Sequence, residues 1–156
     1  MNILDIARLF LFVRELPGNR GQRVEAIQRW AGGVPGDSWC AFWVTMVLDL
    51  FYEGKSRLAR TGSCDVILQA ARDNKWIVET PEPGDLYLNV RNVNDAYHVG
   101  FTTSPFFDDP IKGRSFGQIA ANTSEDGLSA NGDRVSERAI RYDITKHVFV
   151  RVPPAQ

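Results

Sequence analysis

From Trp39 to Tyr52 the chain is apolar at every position except Thr45 and Asp49, which stand four apart and so share one stripe of a helix. A helix that is apolar nearly all round must be enclosed, so the rest of the chain has to supply the layers that cover it. A polar turn, Gly36-Asp37-Ser38, comes just before it. With Asp37 or Ser38 as N-cap, Cys40 lies in the first helical turn, where unpaired N–H groups and the helix dipole favour a thiolate. A nearby imidazolium adds to this and brings a thiol from about 8.5 into the range of about 3.5–7.5. Cys40 is therefore the candidate nucleophile.

Such a nucleophile needs a base, and the chain has two histidines. In Tyr97-His98-Val99-Gly100-Phe101 the valine and phenylalanine alternate with His98, so a strand here buries Val99 and Phe101 and presents His98 on its other face. His147 sits among alternating valines and reads as sheet core. His98 by itself would pass for a satisfied structural histidine; its pairing with Cys40 makes it the candidate base.

The 156 residues are 44% apolar, which suits a single domain, 1–156, with its own core. Eighteen basic against nineteen acidic residues give a net charge of −1 with no basic run, so neither nucleic acid nor an anionic membrane is expected as a partner. The apolar run Leu9 to Val13 is too short to span a bilayer, and charges on both sides with no small-residue cleavage site exclude a signal peptide. Synthesis in the cytoplasm without an export signal is expected. Two cysteines, Cys40 and Cys64, would form one disulfide in an oxidising compartment. Two free thiols are the expectation here, with Cys64 a small buried residue in its own helix.

The first half of the chain reads as helices and the second as strands, which predicts an α+β fold with N-terminal helices packed on a C-terminal antiparallel β-sheet. Ile3, Ile6, Phe10 and Val13 follow helical spacing, as do Val24, Ile27 and Trp30 ahead of Gly32-Gly33. A helix from Thr61-Gly62-Ser63 to about Asp73 precedes the turn Pro81-Glu82-Pro83-Gly84-Asp85. Strands are expected at Leu86–Val90, Tyr97–Thr103, Ser115–Ala121, Arg134–Tyr142 and His147–Val152. Gly54-Lys55-Ser56 lacks the first glycine and the preceding strand of a phosphate loop. The acidic stretch from Glu125 to Asp133 lacks calcium-loop spacing and reads as a hairpin turn, and Asn122-Thr123-Ser124 lacks the secretory context of a glycosylation site. No cofactor or metal is expected.

The order Asn19-Arg20-Gly21, Trp39-Cys40-Ala41-Phe42, Thr61-Gly62-Ser63, Pro83-Gly84-Asp85-Leu86, His98-Val99-Gly100 and Asn122-Thr123 resembles the CHAP family of cysteine- and histidine-dependent amidohydrolases and peptidases, within the NlpC-type cell-wall hydrolases. The resemblance spans about residues 15 to 152. It implies a papain-like fold and cleavage of an amide bond in bacterial peptidoglycan, with Cys40 attacking the carbonyl, His98 protonating the leaving amine and Asn122 orienting the imidazole. It further implies a phage-type endolysin, or a delivered antibacterial toxin of the same chemistry, with a holin or an immunity protein as a possible partner. Family members often carry Glu-Gly-Asn where this chain has Ala120-Ala121-Asn122, so the acidic member is missing and Asp85 is a candidate substitute, although a turn and strand start explain it as well. The backbone N–H of Cys40 is the natural first oxyanion donor. Trp39 is a candidate groove residue, while Trp43 fits the core. A binding module that has lost turnover, and a regulatory thiol protein closed by a Cys40–Cys64 disulfide, are the alternatives from other functional classes.

Overall fold

The computed structural model describes residues 1–123 and 132–155. Four helices come first: α1 (Ile3–Arg8), α2 (Gln22–Trp30), α3 (Cys40–Phe51) and α4 (Cys64–Asp73). Seven strands follow: β1 (Ile77–Val78), β2 (Leu86–Asn92), β3 (Asp95–Thr102), β4 (Phe107–Asp109), β5 (Gly113–Thr123), β6 (Arg134–Arg141) and β7 (His147–Val150). All pair antiparallel in one sheet of order β1-β7-β2-β3-β5-β4, with β6 on β5. The protein is thus an α+β fold with segregated layers.

Helix α1 is shorter than its spacing predicts. A capping box between Asn2 and Asp5 starts it, and it ends at Arg8, after which turns carry Val13 into the core. Helix α4 starts on Ser63, whose hydroxyl accepts from the Val66 N–H at 3.2 Å. The two shortest strands, β1 and β4, have no sequence signal because pairs and triplets of residues carry no measurable period. Of the hairpin turn expected from Glu125 to Asp133, all but the last two residues fall outside the described residues. No helix among the described residues is long and apolar enough to cross a membrane.

The nine residues from Cys40 to Leu48 are all buried, so α3 is the enclosed element its composition demands. It packs against α1, α2, β3 and β5. Val99 and Phe101 face it from β3, and Phe101 meets Trp43 edge-on at 5.6 Å between centroids. The opposite face of the sheet holds a second, smaller core of Tyr87, Phe116, Ala120, Ile140 and Phe149. Strict alternation along β2 produces this split, since Leu86 and Leu88 face the helices while Tyr87 and Asn89 face away.

Gly100 is required by a close approach. A Cβ there would sit 2.6 Å from Tyr87 Cε1, 2.7 Å from Ala120 Cβ and 2.8 Å from the Ile119 carbonyl oxygen. Two of these neighbours belong to β5 and cannot swing aside as a flexible side chain would. Gly100→Ala is expected to destabilise the fold by about 1–3 kcal/mol, read as a lower midpoint in thermal or urea unfolding. A midpoint unchanged from the parent protein would show that Tyr87 does not lie across the sheet.

Candidate active site

Cys40 is the first residue of α3, and the helix ladder begins with the Trp43 N–H donating to the Trp39 carbonyl at 2.9 Å. Trp39 therefore occupies the N-cap, and neither residue expected there caps the helix. The Asp37 carboxylate accepts from the Val34 N–H at 2.9 Å, closing its own turn, and the Ser38 hydroxyl accepts from the Asn122 amide at 2.9 Å. The turn is held from below by Gln28, whose buried amide donates to the carbonyls of Asn19 at 2.9 Å and Asp37 at 2.7 Å. Cys40 still sits where free N–H groups and the helix dipole act on it.

Cys64 is the first residue of α4, so two helix N-termini bring two thiols together with Sγ···Sγ 3.7 Å and no disulfide. Cys64 is buried as expected, yet it has a chemical neighbour that its own helical pattern did not announce. Donation from the Cys64 thiol is the largest influence holding the Cys40 thiol well below its ordinary range; burial opposes it, and the His98 imidazole and the Val99 N–H reinforce it. The Cys64 thiol is pushed far up by the same contact and by burial. The proton thus stays on Cys64 and the charge forms on Cys40.

Absorbance at 240 nm on a pH titration should therefore show one thiolate, from Cys40, persisting below the free-thiol range of about 8.5. Cys64→Ala should move that midpoint upward, with Cys40→Ala as the blank. A midpoint at or above the free-thiol value in the parent protein would overturn the pairing.

His98 reaches the same sulfur because β3 and β5 part company. The two strands pair at Phe101↔Ile119 and Thr102↔Gln118, and three steps further the same register would set His98 opposite Asn122. Instead β3 turns its open edge to the start of α3. Thr102 donates to Asp85 on the β2 side and Thr103 to Gly117 on the β5 side, so alternation directs the Val99 N–H to the β5 side, toward Cys40. His98 is 2% exposed, and its Nδ1 is buried with no hydrogen-bond partner among the described residues. Tyr87 lies across the neighbouring strand with its ring 5.9 Å from the imidazole and its hydroxyl donating to Gln118 Oε1 at 2.8 Å. Burial chiefly, together with the two nearby cysteines, keeps that phenol protonated.

Asn122 is 3% exposed and has a left-handed backbone, φ 55°. Among the described residues no hydrogen bond joins it to His98. Its amide goes to Ser38, so it ties the end of β5 to the turn that carries Cys40. Asp85 lies four residues from Asn89, the strand partner of His98, or about 13 Å along β2. Its carboxylate accepts from Arg151 Nε at 2.9 Å and Nη2 at 2.8 Å and from the Glu82 N–H at 2.7 Å, the turn and strand-start role.

Trp39 is not a groove wall. It is fully buried, with its indole N–H donating to Glu15 Oε2 at 2.7 Å, because a large ring at the N-cap of an enclosed helix is drawn into the same core. Trp43 is likewise buried, against Phe10 and Phe101. Sequence reasoning paired Cys64 with Cys40 only as a disulfide and not as a thiol donor, and it did not single out Tyr87, Gln28 or Asn89. For Cys64 the available signal was Ser63 just ahead of it, a second helix start carrying a cysteine.

The fold and site define an α+β domain whose central helix sets a polarised cysteine against a strand histidine. No protein-family model, curated protein or solved structure matches the chain.

Proposed function

We propose that the protein is a cysteine amidase or endopeptidase of bacterial peptidoglycan, kin to the CHAP family with a papain-like arrangement, and most simply a phage-type endolysin. The observation that carries the chemistry is Cys40 at a helix start, its thiol lowered by Cys64, His98 and the Val99 N–H. The substrate class rests on the order of motifs from Asn19-Arg20-Gly21 to Asn122-Thr123.

In this reading the Cys40 thiolate adds to the amide carbonyl, and the oxyanion is met by the Cys40 N–H, which has no partner inside the helix. Protonated His98 gives its proton to the departing amine as the C–N bond breaks, leaving a thioester on Cys40. Neutral His98 then takes a proton from water, whose oxygen attacks the thioester and releases a carboxylic acid and the thiolate. Synthesis inside the cell and action on the wall after release or delivery fit both an endolysin, with a holin as partner, and a delivered toxin, with an immunity protein.

A second reading is favoured by one observation: Cys40 and His98 are each 2% exposed, a closed centre suited to a wall-binding module without turnover. Digestion of purified sacculi, followed by mass spectrometry of the soluble fragments, separates the two. Release of fragments with new amine and carboxyl ends names the bond that is cut. No release from walls of several chemistries would replace the hydrolase with the binding module.

A further inference from the structure

A cavity of about 540 Å³ opens on the face of the sheet that carries His98 and is lined in part by Asn89 and His147. Both lie on the transverse line of the candidate base, since Asn89 pairs with His98 on one side and with His147 on the other. Strand spacing of about 4.8 Å puts Asn89 one strand from His98 and His147 about 10 Å from it. About three extended residues at roughly 3.3 Å each cover that distance.

The polar groups of this cavity are unmatched in a specific way. Asn89 is 7% exposed and its Oδ1 is buried without a partner among the described residues, an acceptor awaiting a donor. His147 Nδ1 accepts from the Asp143 N–H at 3.0 Å, so the neutral ring carries its proton on Nε2, a donor awaiting an acceptor. Burial above all keeps that ring neutral, with its pKa lowered to about 4. At the rim, Arg141 and Lys146 form no ion pair among the described residues, whereas the one acid, Asp143, is already held by the Thr145 N–H at 2.9 Å and hydroxyl at 2.7 Å. Tyr142 and Ile144 add apolar wall.

We propose that this cavity is a substrate subsite for a short peptide segment bearing a free carboxylate: an amide N–H meets Asn89 Oδ1, a carbonyl meets His147 Nε2–H, and the carboxylate meets Lys146 and Arg141. The inference rests on the hydrolase reading, to which it adds the part of the substrate held beside His98. His147 thereby becomes a binding residue and not sheet filler.

The test uses the full chain with Cys40→Ala to prevent turnover, titrated with N-acetyl-alanyl-alanine and, separately, with its C-terminal amide, while ¹H–¹⁵N spectra are followed. The free acid is expected to shift the Asn89 side-chain amide and the His147 ring signals, with the amide form binding about tenfold or more weakly. Lys146→Ala and Arg141→Ala should weaken the acid similarly; both side chains lie at the rim, so these variants fold even where Asn89→Ala does not. Shifts absent from Asn89 and His147, or equal affinity for acid and amide, would overturn the subsite. Sacculus digestion reads the other reading separately. Peptide binding at this cavity without fragment release sinks the hydrolase and leaves a carboxylate-peptide binding site with no substrate role, whereas fragment release with KM unchanged in the Lys146→Ala, Arg141→Ala double variant sinks the subsite alone.

Discussion

Cys40→Ala is expected to lower fragment release from peptidoglycan by about 10⁴-fold or more, the scale on which loss of a covalent nucleophile acts. The effect should be chemical and not structural. Only a sulfur atom is lost from the buried core, so the free energy of unfolding should change by about 1 kcal/mol or less. Cys40→Ser should be nearly as inactive, because the helix start, the Cys64 donor and the Val99 N–H together bring a thiol, but not an alcohol, into its ionised form near neutral pH.

In the proposed hydrolase His98→Ala should match Cys40→Ala, because a nucleophile and its base that work as one unit give losses that do not add. Asn122→Ala should cost less, about ten- to a hundredfold, because its amide holds Ser38 and the turn before Cys40 and makes no hydrogen bond to the imidazole. Its signature is a kcat loss with an unshifted Cys40 titration. Substantial activity in purified Cys40→Ala protein would remove Cys40 from the chemistry altogether.

The largest stability effect is expected at Trp39. Trp39→Ala should cost about 3–5 kcal/mol, the range for emptying a fully buried large ring, with a drop in urea midpoint to match. Trp39→Phe keeps most of the ring and isolates the hydrogen bond to Glu15, worth about 1.5–3 kcal/mol as a bond to a charged group.

The Phe variant also has a pH signature. Burial pushes the Glu15 carboxyl up and the Trp39 N–H holds it partly down, so removing the indole should raise it further. A carboxyl with a raised folded pKa weakens the fold above that pKa and ceases to do so once protonated. The Phe variant should therefore lose more stability at pH 7 than at pH 4 relative to the parent. A Trp39→Ala variant within about 1 kcal/mol of the parent would return Trp39 to the groove.

Much of the frame was legible in the chain because its signals are local. The α3 composition set an enclosed helix, Ser63 set the start of α4, and period-two runs set β2, β3, β5, β6 and β7 to within a few residues. Boundaries slipped where tertiary contacts choose between neighbours. Asp37 and Ser38 are both good N-caps by chemistry, yet the ladder starts at Trp39, whose ring is held by Glu15 and the core while Ser38 is held by Asn122. Likewise the burial of Trp39 and the meeting of the Cys64 thiol with Cys40 are decided by tertiary contacts, since no local pattern reports what a side chain meets from a distant segment.

By itself the sequence determined which residue types are available for chemistry, a cysteine at a helix start and two histidines on strands, and the α+β order of layers, because caps, periodicity and turns act over a few residues. The tertiary structure alone decided how they meet. It set Cys64 3.7 Å from Cys40, opened β3 from β5 so that the Val99 N–H faces the sulfur, and placed Asn89 between His98 and His147. Helix convergence and strand register are relations between segments far apart in the chain, and they are fixed only when the whole core packs.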